Sequence, residues 1–343
     1  MVKIMKDKND IGINNSRLVG RKLNIFVQNW GILFVLLALG IILSIFSDVF
    51  LARQNLINIF RQVSVTGIIA CGMTLVIISG SVDLAVGSIV SLVSVVAVSL
   101  MISTGNLFVG LSAAIAIGFL SGALNGFLIS LIRGKLGLAF IITYGMLTLY
   151  GAIALLVTKG ATINWEYLGF TNPIYSFIGK GSIGFVPFPV VLFILIAVFS
   201  QFLLKFTNFG RVIQNMGFNI EATRLSGINV RNYRILIHGY LGILSAIAAI
   251  ILTSRVTSAT PLGGVGYEFE AITAVVIGGT SLSGGKGNVI KTIIGVLILG
   301  VIFNSMMMLH INKFLQQTAQ GSLIIIAVII DMALSKRRKL IGG

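Results

Sequence analysis

Charge is what this chain has least of. Only 10% of its 343 residues are Asp, Glu, Lys or Arg, against roughly 25% in soluble globular domains. Nine of them are acidic, so no acidic surface is available to solvate the chain. Cysteine occurs once, at Cys71 within an apolar run. That excludes an intrachain disulfide, and the residue reads as a small buried side chain. With two histidines, His238 and His310, no Cys/His cluster has zinc-ligand spacing. Neither histidine has an acid or nucleophile at motif spacing, and HExxH and GxSxG are absent. Each therefore reads as a satisfied or exposed side chain near a helix end. These absences argue against a self-contained hydrolase or metalloenzyme; no catalytic or metal-binding residue is assigned.

What fills the chain instead is apolar: 56% hydrophobic residues and a mean hydropathy of +1.03. A bilayer removes the need to cover that surface with polar groups. A hydrocarbon core of ~30 Å needs about 20 helical residues. This rule places about ten spans, near 25–46, 63–80, 84–103, 107–132, 138–158, 187–205, 236–254, 269–283, 288–309 and 317–334. The eighth is short enough to be part of a broken helix. The apolar stretch 25–46 is too long for a signal-peptide core and no small-residue cleavage site follows it, so it is read as the first span. Backbone in hydrocarbon must satisfy its own hydrogen bonds, which makes the fold all-α, a polytopic helical bundle.

The net charge of +16 comes in short basic clusters between apolar runs. This pattern orients a membrane protein and does not suggest nucleic acid. With the N-terminus placed in the cytoplasm, all but Arg53, Arg61, Lys159, Lys180, Arg255 and Lys313 of the 25 basic residues fall inside. Both termini are then cytoplasmic. An odd span count would carry Lys336, Arg337, Arg338 and Lys339 to the outside, against the positive-inside rule. The organisation that follows is a cytoplasmic N-terminal tail (1–24), a transmembrane domain (25–334) with its longest cytoplasmic loop at 205–235, and a basic cytoplasmic C-terminal tail (335–343). Asp331 reads as an interfacial charge near that tail.

Forty glycines punctuate the apolar runs. Gly118, Gly122 and Gly126 recur every four residues and form one smooth helical stripe that lets a neighbouring helix approach closely. Two Gly-rich breaks, Ser79–Gly87 and Gly278–Gly287, echo one another, and paired broken helices mark transport sites in many carriers. Both lie toward the cytoplasm by the span count, so a five-plus-five inverted repeat would not superpose them. Gly80, Gly87, Asp83, Gly279 and Ser281 in these breaks are the candidates for translocation or gating. Asp83 also suits a cap, its carboxylate accepting backbone N–H groups at the start of the third span. The stretch Gly279–Lys286 resembles a phosphate-binding loop, but an extra glycine precedes Lys286, and Gly287 stands where the magnesium-holding hydroxyl belongs. Energy must then come from a partner chain or an ion gradient.

Within the 205–235 loop, Asn219 is a natural N-cap, Glu221 favours the positive end of a helix dipole, and Gly227 is a natural stop. A helix of about two turns, 220–226, follows, with Ala222 and Leu225 on one face. Held between two spans, such a helix is a stiff lever; the plainer alternative is an amphipathic helix at the lipid surface. Glu268 and Glu270, after a glycine-rich turn on the external side, are candidates to meet basic residues of a docking protein.

Three stretches carry a family resemblance: Gly72–Gly87 (GMTLVIISGSVDLAVG), Ala222–Val230 (ATRLSGINV) and Gly264–Gly287 (GVGYEFEAITAVVIGGTSLSGGKG). The chain resembles the inner-membrane permease subunits of bacterial monosaccharide importers of the ABC type, ribose importers among them, from about Leu33 to Asp331. Ser81 stands where that family usually has a smaller residue, and Glu270 where it usually has Asp. The resemblance implies two permease chains, identical or close paralogues, forming the path. It also implies cytoplasmic ATPase subunits holding ATP and magnesium, with no cofactor in this chain, and an extracytoplasmic sugar-binding protein that delivers substrate. Asn219, Glu221, Ala222, Arg224, Leu225 and Gly227 would then couple the permease to the ATPase. Relatives for other pentoses, galactosides or a furanosyl signal molecule would share these motifs. A separate reading is an ion-coupled carrier, for which Asp83 is the coupling acid on offer.

Overall fold

The computed structural model describes residues 31–45, 47–131 and 136–341. The expected N-terminal tail 1–24, residues 25–30 and 46 of the expected first span, Arg133, Lys135, and the last two residues of the C-terminal tail lie outside the described residues. Helices dominate. In chain order they are α1 (Gly31–Ile45), α2 (Arg53–Ile78), α3 (Val86–Thr104), α4 (Leu107–Leu131) and α5 (Leu136–Thr158). Then come α6 (Pro173–Lys180), α7 (Phe188–Phe206), α8 (Asn208–Phe218), α9 (Ile220–Leu225) and α10 (Val230–Val256). The last are α11 (Tyr267–Ile277), α12 (Val289–Met308) and α13 (Lys313–Ile341). Two short antiparallel ladders pair β1 (Ile163–Asn164) with β4 (Ser258–Ala259), and β2 (Ser182–Ile183) with β3 (Val186–Pro187).

Seven of the helices, α2, α3, α4, α5, α7, α10 and α12, are long and apolar enough to cross a membrane. The chain is therefore a multi-pass helical membrane protein. The expected eighth span is not a full helix. α11 has 11 residues, which reach only about 16 Å at 1.5 Å per residue. It ends at Gly278 and Gly279, the latter at φ +82°, a conformation that opposes continued helix. At the C-terminal end α13 continues as helix through the basic stretch to Ile341, past the expected end of the last span at 334. Lys and Arg are good helix formers and favour a helix C-terminus.

Burial is uneven in a way that lipid explains. α2 is almost wholly enclosed, with 89% of its most apolar window buried, whereas the corresponding figure for α5 is 22%. The outward faces of α4, α5 and α7 present Leu120, Ile141, Leu156 and Val198, side chains that hydrocarbon, not water, would cover. At one end of the bundle α6, started by the Asn172 cap and Pro173, closes over the end of α10. Tyr175 Oη lies 2.6 Å from Thr253 Oγ1, and Gly179 N donates to Ser254 Oγ at 2.8 Å. Trp165 Nε1 donates to the Thr253 carbonyl at 3.0 Å. α8 and α9 sit at the opposite end.

The glycine stripe on α4 meets α10. A side chain at Gly118, Gly122 or Gly126 would run into the carbonyl oxygens of Gly242, His238 and Arg234 respectively. Contact is backbone to backbone, as expected for small residues at intervals of four. Arg234, buried at the start of α10, donates from Nη1 to the Ile129 carbonyl at 3.2 Å. This places a guanidinium against the carbonyl end of α4, where a cation is favoured.

Candidate functional site: a buried polar node and a glycine junction

Asp83 sits in the extended stretch between α2 and α3 and is fully buried. Its Oδ1 accepts the Ala85 N–H at 2.9 Å, a local turn just before α3 and not a cap on the helix itself, whose N-cap residue is Ala85. It also does more. Asn125 Nδ2 on α4 lies 3.2 Å from Oδ1 and 3.0 Å from Oδ2, and His238 Nδ1 on α10 lies 2.9 Å from Oδ2. The imidazole's other nitrogen, Nε2, is 3.2 Å from Ser81 Oγ. Tyr150 Oη on α5 donates to Asn125 Oδ1 at 3.2 Å and to the Ser121 carbonyl at 3.0 Å. One carboxylate thus ties the start of α3 to α4 and α10, and through Asn125 to α5. With both its oxygens hydrogen-bonded, it is a satisfied buried polar group. The close approach at Gly122 is what brings His238 and Asn125 within reach of the same carboxylate.

Spacing in the sequence had left His238 without an acid. The fold supplies one from 155 residues away. Ser81, His238 and Asp83 even follow the hydroxyl–imidazole–carboxylate order of hydrolytic triads. Ser81 is 1% exposed, however, so its hydroxyl is closed to any substrate in this conformation.

The two Gly-rich breaks, distant in sequence, meet. Gly285 N donates to the Ile78 carbonyl at 2.8 Å, joining the second break to the end of α2. Gly80 and Gly284, at φ +78° and +84°, pack against each other and against Gly217 near the end of α8. At Gly217 an added Cβ would collide with the Ile78 carbonyl oxygen and the Gly285 nitrogen. Nothing in the residues around Gly217 singles it out. The Gly279–Lys286 stretch folds on itself: Ser281 N donates to the Lys286 carbonyl and Gly284 N to the Ser281 carbonyl, both at 3.0 Å. These N–H groups, and that of Gly285, are committed to protein oxygens. Gly87 lies apart from this junction, at the start of α3, against the Gly264 carbonyl and the Glu268 carboxylate.

From the junction α8 leads to α9. Phe209 on α8 stacks on Tyr233 of α10 with ring centroids 5.6 Å apart, and Gln214 Nε2 donates to the Leu204 carbonyl at the end of α7 at 3.1 Å. Asn219 Oδ1 accepts the Ala222 N–H at 3.0 Å, and the helix stops before Gly227 at φ +83°. Thr223 faces inward, while Glu221, Ala222, Arg224 and Leu225 point out. Glu221 and Arg224 pair at 2.6 Å, both half exposed, so the pair orders the tip more than it stabilises the protein. Leu225 is 84% exposed.

Glu268 and Glu270 are not where a pair of docking charges would stand. Glu268 is 3% exposed; its carboxylate turns back to the Gly266 N–H at 3.2 Å and lies against Gly87. Glu270 accepts the Thr66 hydroxyl at 2.8 Å. Both start α11, where the amino end of a short helix draws carboxylates inward.

Residues 55–332 match the family described as the permease component of the branched-chain amino acid transport system. The chain is 39% identical over 301 residues to the ribose import permease protein RbsC of Escherichia coli K12, covering 87% of this chain and 92% of that protein. It is 39% identical over 305 residues to the ribose import permease protein RbsC of Bacillus subtilis 168, covering 89% and 93%. Identity to the L-arabinose transport system permease protein AraH of Escherichia coli K12 is 33% over 312 residues, covering 91% and 93%. No solved structure matches. A helical membrane bundle with this junction, matched over most of its length by transport permeases, belongs to that permease family.

Proposed function

We propose that the chain is the membrane-spanning subunit of an ATP-driven importer that carries a small sugar, ribose or a similar monosaccharide, across the bacterial inner membrane. Two permease chains, a homodimer or close paralogues, form the path. Separate subunits on the cytoplasmic side bind ATP and magnesium, and a sugar-binding protein loads substrate at the α6 end. The chain crosses about ten times, with α1, α11 and α13 adding to the seven helices that are long and apolar enough to span, and both termini lie on the α8–α9 side with most of the basic residues. The names of the relatives support the sugar class. Asp83, inside the first break, ties that break to α4 and α10 through its polar node.

The observation that carries the reading is the connection from α9 to the breaks. α9 offers an apolar tip, Leu225, beyond the bundle, and the preceding helix is seated by Gly217 on both Gly-rich breaks. A push on α9 by a cytoplasmic partner therefore reaches the ends of α2 and the α11–α12 turn through backbone contacts. Leu225→Glu tests it. An exposed leucine contributes little to this chain's own stability, but a charge buried in an interface is costly. The variant should insert normally and yet retain its ATPase subunit about tenfold less well on purification, in line with a hot-spot loss of ~1.4 kcal/mol or more. Undiminished co-purification would remove Leu225 from the interface.

A further inference from the structure

At the end of the bundle that carries α6, a cavity of about 500 Å³ opens between α2, α11, α12 and α13. Its volume lies in the range of small-molecule sites, ~300–1,000 Å³. Its wall is unusual for a membrane protein. Gln317 and Gln320 on α13 and Gln62 on α2 line it together with Glu270, between the rings of Phe269 and Phe303. Side-chain amides within membrane helices are costly where lipid is the neighbour, and they mark substrate pathways where a cavity is. The side-chain amides of Gln62 and Gln317 have no hydrogen-bond partner among the described residues, and Thr66 donates to only one of the two Glu270 oxygens.

We infer that this cavity is a sugar-binding station within the permease itself, built for a neutral polyhydroxylated ligand. Each amide offers both a donor and an acceptor, the pattern that neighbouring hydroxyl groups satisfy in pairs. The two phenylalanines supply apolar faces for the C–H side of a sugar ring. Among the described residues no basic side chain lines the cavity, and Glu268 and Glu270 border it, so a phosphorylated or otherwise anionic ligand finds no counter-charge among them. The inference rests on the reading of the chain as a sugar permease and adds a place where the sugar is held. Glu270 enters that site as a hydroxyl acceptor, not as a docking charge for another protein.

Cysteine protection tests it. The one native cysteine, Cys71, is buried and gives no background. Gln317→Cys and Gln320→Cys place a thiol in the cavity; Leu262→Cys, on the exposed turn before α11 and outside the cavity lining, is the control. The assembled importer in lipid vesicles is treated with a small thiol reagent in the presence of D-ribose, L-arabinose or D-allose, and modification of this chain is read by mass. Sugar uptake is measured in parallel on vesicles that hold the parent importer. Protection by bound ligand scales as one plus its ratio to Kd, so the transported sugar at ten times Kd slows both cavity cysteines about tenfold and leaves Leu262→Cys unchanged. Uptake without protection at either cavity position overturns the site and leaves the permease reading standing. So does equal slowing at Leu262→Cys. Vesicles that import none of the three sugars overturn the permease reading, and the site with it.

Discussion

Gly217→Val should uncouple the importer: ATP hydrolysis by the assembled complex continues while sugar uptake falls about tenfold or more. A tenfold loss needs only ~1.4 kcal/mol, and forcing extra methyl groups into a packed contact costs ~1–3 kcal/mol. The atoms in the way are the Ile78 carbonyl oxygen and the Gly285 nitrogen. They are backbone atoms, which cannot rotate aside as a side chain would. The α8 end must therefore lift off the breaks. Because Leu225 and the rest of α9 are left as they are, binding of the ATPase is spared, and this separates the variant from Leu225→Glu. Parallel measurement of hydrolysis and uptake in vesicles decides it. Uptake at the unaltered level would mean that motion bypasses the glycine junction.

Asp83→Ala should lower the stability of the chain by about 3 kcal/mol or more, because it leaves several buried hydrogen-bonding groups unsatisfied at ~1–3 kcal/mol each. The variant leaves His238 Nδ1 and the Asn125 amide without the carboxylate, and both residues are buried inside the bundle. Asp83→Asn keeps an acceptor oxygen and should lose less, about 1–3 kcal/mol, the penalty of an imperfectly matched buried hydrogen bond. Unfolding temperature in detergent, read for both variants, gives the order. If Asp83→Ala and the parent melted together, the node would contribute no stability and the account of how α3, α4 and α10 are held would fail.

Local chemistry made some of this legible in the sequence. α9 is specified by its own residues, an asparagine that caps and a glycine that stops, so its limits could be read without knowing its neighbours. The α4 stripe was legible for the same reason, since an interval of four repeats along one helical face whatever helix lies opposite. The Asp83 node was not, because its partners arrive from α4 and α10, 42 and 155 residues away. The signal available was a lone asparagine and a lone histidine in apolar runs, polar side chains that a membrane core tolerates only when paired. The inward turn of Glu268 was equally hidden. Its direction is set by the open space that Gly87 leaves beside it, which no pattern within residues 264–270 records. Gly217 carried no signal at all: one glycine in a polar loop helix gives no hint that two distant breaks will meet upon it.

The central claim is that this chain moves sugar on the strength of ATP hydrolysed by a partner. The buried Asp83–His238 pair is also the kind of acid an ion-coupled carrier would use. Uptake of radiolabelled D-ribose into vesicles holding the assembled importer, loaded with ATP and exposed to a protonophore, separates the two. Import that persists with the proton gradient collapsed and stops when ATP is withdrawn is the predicted result. Import that stops with the protonophore at constant ATP, or proceeds with no ATPase subunit present, would contradict it.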